Sequence, residues 1–233
     1  MIPAITEKFP ILSLTPQQAF KGISVAVATL CAFGSSWALF TTGMTIFCER
    51  ALHPGSEHTW YNTRSFSFEK FFCGMGAVYL GKLFVAASWL ALEDCGLVVL
   101  PNGPIQTKLA EIALADSAHF FFKVVVQGPI CEEILYRGFL QERFVDIVEL
   151  FDRHVYPLSN EFQEGIPSLA QAAVFGLAHI TGNQVAPGAE LLIATATGWS
   201  GCVWGICKIE NKDLLLSTTI HSATNFIGLV YPK

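Results

Sequence analysis

Charge is scarce in this chain. Only 14% of its 233 residues are Asp, Glu, Lys or Arg, against about 25% in an ordinary soluble domain. The shortage is regional. Residues 22–48 and 191–207 carry no charged side chain, and 165–189 and 214–232 carry one histidine each and no Asp, Glu, Lys or Arg. No basic stripe is present, which excludes nucleic acid as a partner. The net charge of −5 comes without any run of like charges, so no acidic or basic tail is expected. None of the seven cysteines forms C-x-x-C, and the closest pair, Cys202 and Cys207, lacks zinc-knuckle spacing. They read as small buried hydrophobes rather than a disulfide framework. The N-terminus is not expected to be a signal peptide either. The first apolar run starts after Lys21 and reaches Cys48, longer than an h-region of about 7–15 residues, and reads as a retained transmembrane helix. No fixed-period repeat or low-complexity stretch is found.

What is present is apolar: 52% hydrophobic residues, with 19 Phe. A helix needs about 20 predominantly apolar residues to span a bilayer. Spans are expected at 22–48, 71–92 and 109–128, followed by helices at about 130–151, 168–181, 189–208 and 213–230. Segments 49–70, 93–108 and 152–167 are polar or rich in Pro and Gly and read as loops. Lys82 interrupts the second span and is expected to snorkel or face the bundle. Gly128-Pro129 is expected to break the chain before a new helix, since Pro is tolerated in a first turn. The fold class is all-α: a polytopic transmembrane bundle of about six to eight helices, 1–233 forming one integral membrane domain around a polar cavity. The bilayer is the implied surrounding, the plasma membrane if the source is bacterial.

Glu132 and Glu133 stand out in this setting. A carboxylate at mid-helix in hydrocarbon costs roughly 2.5–3.5 kcal/mol even on lenient insertion scales, so such groups face protein or water and act there. Glu133 and Arg137 are i and i+4 and meet on one helix face. Glu132 lies about 100° round the helix, free to serve as a general base. Phe175 and His179 share a face by the same spacing, and so do His221 and Asn225. The last two aim hydrogen-bond donors in one direction, which suits a developing oxyanion or adhesion between helices.

Glu-Glu-x-x-x-Arg, Phe-x-x-x-His and His-x-x-x-Asn thus follow one another on three apolar helices. The ordered set resembles the CAAX protease and bacteriocin-processing family of intramembrane proteases, the type II CAAX prenyl endopeptidase-like or ABI family. The resemblance runs from about Gly128 to Gly228 and includes Gly198, Gly201 and Gly205 ahead of Thr218 and His221. It implies a catalytic core at 128–230 behind variable N-terminal helices at 1–127. It implies that Glu132 and His179 activate the attacking water, that His221 and Asn225 hold the oxyanion, and that Glu133 and Arg137 form a supporting ion pair. Peptide hydrolysis itself is implied by the resemblance alone, with a membrane-associated and CAAX-type prenylated peptide or protein as the namesake substrate.

Glu132, His179 and His221 could also bind zinc as three ligands plus water, although the H-E-x-x-H signature is absent. The better understood relatives imply a glutamate-activated water without a metal, and no cofactor is expected. Two rival functions share the same residues. One is a non-catalytic membrane binding or immunity protein. The other is a proton-coupled transporter using Glu132, Glu133 and His119 as a relay, disfavoured by the missing inverted repeats.

Overall fold

The computed structural model describes residues 66–99, 117–182 and 188–230, and every regular element in them is helical. The expected first span, His53, His58, Glu111, Asp116 and the His119 side chain lie outside the described residues.

Helix α1, Phe68–Asp94, begins at Ser67, whose Oγ accepts the Lys70 amide N–H at 3.4 Å and caps the first turn. Gly74, Val78 and Gly81 mark its buried side, while Phe68, Phe72, Leu80, Leu83 and Phe84 are exposed. An outward apolar surface of this extent fits hydrocarbon rather than water. Among the described residues, α1 is the helix long and apolar enough to cross a membrane. The all-helical class is therefore observed, and the number of spans is not fixed by the described residues.

A second helical run carries the paired glutamates. It consists of α2 (Ser117–Phe121), a π segment π1 (Phe122–Gln127), α3 (Gly128–Glu133), a second π segment π2 (Ile134–Leu140) and α4 (Gln141–His154). The expected break at Gly128-Pro129 does not occur. Gln127 and Gly128 keep right-handed helical torsions, and the chain passes through the proline by widening its hydrogen-bond register. The Gly128 N–H donates to Lys123 O, five residues back, and Pro129, which has no N–H to give, enters as the next residue.

Helix α5 spans Asn160–Gly182 and starts eight residues earlier than the sequence suggested. Polar residues at 160–164 look like a loop, yet Ser159 O accepts the N–H groups of Phe162 and Gln163 and opens the helix there. Pro167 lies inside it. Helix α6, Glu190–Asn211, ends in a left-handed Lys212, and α7, Leu215–Val230, follows after Asp213 Oδ1 accepts the Leu215 N–H at 2.8 Å.

Glycines set the distance between α5 and α6. A Cβ on Gly176 would sit 3.2 Å from Gly198 Cα and closer still to Ala194 O. The backbones therefore touch, the usual membrane packing through small residues. Trp199 lies across Gly81 of α1 and donates its indole N–H to Ala77 O at 3.0 Å. Trp89 Nε1 donates to Thr195 Oγ1 at 3.1 Å, joining the same two helices. The core between these elements holds Leu135, Tyr136, Phe139, Phe175, Trp204 and Ile220. One end of the assembly is polar: Lys208 pairs with Glu142, and Lys70 Nζ donates to Asn211 Oδ1 at 2.9 Å.

Candidate active site

Glu133 lies at the end of α3 and is fully buried. A buried carboxylate persists only when paired and hydrogen-bonded. Its Oε1 accepts from Arg137 Nη1 at 2.9 Å, the i, i+4 pair read from the sequence. The same oxygen lies 3.0 Å from His221 Nδ1, 88 positions further along the chain. Glu133 thus bridges an arginine on its own helix and a histidine on α7. With Nδ1–H donated to Glu133, the His221 tautomer is assigned by its neighbour. The other nitrogen, Nε2, faces Glu132 Oε2 at 3.6 Å.

Glu132 is oriented differently, as its 100° offset requires. Its side chain is 35% exposed, whereas its Oε2 is shielded and has no hydrogen-bond partner among the described residues. At 3.6 Å the His221 nitrogen is too far for a direct hydrogen bond. A carboxylate oxygen without a hydrogen-bond partner, facing an imidazole nitrogen across that gap, is a pair that a water or a substrate oxygen could bridge.

Arg137 is also fully buried. Besides Glu133 it donates from Nη2 to Gly201 O at 3.2 Å. Its guanidinium lies 4.5 Å from the Phe175 ring centre and 5.1 Å from that of Trp204, within cation–π range. Gln171 Nε2 donates to the same Gly201 carbonyl at 2.8 Å. Gln141 Nε2 donates to Ser168 Oγ at 3.1 Å and to Gly205 O at 3.2 Å. Gly201 and Gly205 are glycines for this reason. A Cβ on Gly201 would stand 3.1 Å from Arg137 Nη2 and 3.0 Å from Phe175 Cδ1, and one on Gly205 would stand 2.8 Å from Gln171 Nε2.

His179 is half-buried on α5. Its Nδ1 lies 2.8 Å from Phe175 O, one turn earlier, so Nδ1–H donates there and Nε2 keeps its lone pair. The Phe175 ring stands between the two histidines, 4.4 Å from His179 and 6.0 Å from His221, centre to centre. Trp204 stacks on His221 at 3.8 Å and 17°. Lys82 of α1 is half-buried.

Asn225 lies one turn after His221 on α7, and its Nδ2 donates to Val124 O of π1 at 2.9 Å. One of the two Asn225 Nδ2 protons is therefore committed to backbone. The structure joins Glu132, Glu133, Arg137 and His221 in a single network, attaches His179 to it through Phe175, and gives Asn225 a contact of its own. Trp204, Gln171 and Gln141 were not foreseen as parts of this site. Polar glutamines inside apolar helices were the available signal, and the tryptophan gave none. For zinc, no three His, Cys, Asp or Glu side chains converge on one point among the described residues.

Residues 115–227 match a family model described as type II CAAX prenyl endopeptidase Rce1-like. All six candidate residues fall within the match, which covers just under half of the chain. No curated protein and no solved structure matches.

Proposed function

We propose that this chain, of which residues 115–227 match the Rce1-like type II CAAX prenyl endopeptidase family, is an intramembrane endopeptidase that cuts a prenylated CAAX-type peptide with a water activated by Glu132 and His179. The family is one of membrane proteases. The peptide chemistry at these particular residues is our reading.

Glu132 takes a proton from water, helped by the Nε2 lone pair of His179. The oxygen attacks the peptide carbonyl, and the tetrahedral oxygen accepts a hydrogen bond from His221 Nε2–H, the imidazole carrying both ring protons with Nδ1–H held by Glu133. The proton then passes to the leaving amine and the C–N bond breaks. Glu133 orients the imidazole and stabilises the imidazolium, as a buried carboxylate does for a catalytic histidine elsewhere. Arg137 balances the charge of Glu133. No acyl-enzyme is formed, and the scheme needs no metal ion.

The observation that carries this reading is the unbonded Glu132 Oε2 facing His221 Nε2 at 3.6 Å while Glu133 holds the opposite ring nitrogen. The test is mass spectrometry of products from a farnesylated peptide ending in a CAAX-type tetrapeptide, incubated with the purified full chain. Cleavage should vanish in Glu132→Ala and His179→Ala, with both variants still folded in detergent, and should persist in a chelator. Full activity in both variants would remove the mechanism. Cleavage abolished by chelation and restored by zinc would replace it with a metal-dependent one.

A further inference from the structure

The bond between Asn225 and Val124 has a cause in the sequence that gives Asn225 a different task from the one its motif implies. In a helix, Val124 O can be satisfied by the N–H of residue 128 in α register or of residue 129 in π register. Gly128 donates elsewhere, to Lys123 O. Residue 129 is Pro and has no N–H. Val124 O is thus left without a partner from its own helix, at a point where α7 packs against π1, as the edge-to-face pair of Phe121 and Phe226 shows. An orphaned carbonyl away from water is costly. Asn225 Nδ2 fills the vacancy at 2.9 Å.

That carbonyl belongs to the turn directly before α3, the six-residue helix that carries Glu132 and Glu133. The residue that fills it lies one turn from His221 on α7. The contact therefore spans the two elements whose separation sets the gap between Glu132 Oε2 and His221 Nε2.

We propose that Asn225 is a positioning residue. By replacing the N–H that Pro129 lacks, it locks the π1–α3 junction to α7 and fixes the distance between the paired glutamates and His221. This rests on the peptidase reading above and deepens it. In this role the Asn225 amide acts through Val124.

The test exploits the proline. Pro129→Ala returns a backbone N–H at the position that faces Val124 O in π register. Four full-length proteins are compared in detergent: the parent, Asn225→Ala, Pro129→Ala and the double variant. Asn225→Ala should lower the melting temperature and reduce kcat for the farnesylated peptide at least 30-fold, with KM changed less than threefold. In the Pro129→Ala background the same substitution should cost less than fivefold in kcat and less than half of the fall in melting temperature. An equal kcat loss in both backgrounds would show that Asn225 donates directly to the reacting oxygen and would overturn the proposal. So would an Asn225→Ala protein as active as the parent. The melting-temperature cycle reads the contact independently of cleavage. Additive effects in it refute the junction lock, whereas an inactive parent protein with a coupled cycle would refute the peptidase reading and leave the lock standing.

Discussion

Replacing Glu133 by Gln changes almost no volume and removes one negative charge from a position with no solvent exposure. Two bonds depend on its Oε1, to Arg137 Nη1 at 2.9 Å and to His221 Nδ1 at 3.0 Å. Breaking a buried ion pair by removing one partner costs about 3–5 kcal/mol, because the remaining charge is left uncompensated. Arg137 retains Gly201 O and two aromatic faces, so the lower end, about 3 kcal/mol, is expected. At roughly 2–4 °C per kcal/mol for a chain of this size, the melting temperature should fall by about 6–12 °C. The activity loss should be larger in proportion. A neutral glutamine no longer stabilises an imidazolium, and the analogous carboxylate-to-amide change in a catalytic triad costs about 10⁴-fold. We expect kcat on a farnesylated CAAX-type peptide to drop by about 10²–10⁴-fold, with KM little changed. Adding Arg137→Met should recover stability by removing the stranded cation, and leave activity low. Glu133→Gln within threefold of parent kcat would refute the claim that Glu133 orients His221.

The neighbouring contacts give two further expectations. Gly201→Ala pushes a methyl against Arg137 Nη2 and Phe175 Cδ1, an overpacking worth about 1–3 kcal/mol. Both melting temperature and kcat should fall, visible in a thermal unfolding series with paired rate measurements. Trp204→Leu removes the face stacked on His221 at 3.8 Å and should reduce kcat about tenfold, each 1.4 kcal/mol being one decade, while Trp204→Phe keeps most of the rate. Equal rates in the Leu and Phe variants would show that the stack is packing alone.

Local periodicity made part of this molecule legible. The apolar run at 71–92 became Phe68–Asp94, and those at 189–208 and 213–230 became Glu190–Asn211 and Leu215–Val230. The Glu133–Arg137 pair follows from i, i+4 spacing, and it is present. The opposite orientation of Glu132 follows from the helical repeat. Other features were hidden because they are decided between helices. The spacing of Glu133 and Arg137 says nothing about a histidine 88 residues away. Gly128-Pro129 reads as a stop, because sequence rules price the missing N–H locally. Here the register widens and a side chain from α7 supplies the donor. The polar residues at 160–164 look like a loop because composition cannot reveal that Ser159 opens a helix. The roles of Glu132, His179, His221 and Asn225 came from motif order, and they stand as proposals with the tests given above.

The ion pair of Glu142 with Lys208 at the polar end of the fold has a bearing on where a lipid-anchored substrate would be cut. Taking this pair as the level of the headgroups, Glu132 lies ten positions back along the same helical run, a descent of roughly 15 Å at most, and less through the wider π turns. The hydrocarbon layer is about 30 Å thick, so the scissile bond would sit no deeper than the meeting plane of the two leaflets. A peptide tethered by an acyl or isoprenoid tail could then reach the carboxylate by sinking through one leaflet, with its polar end still trailing toward water.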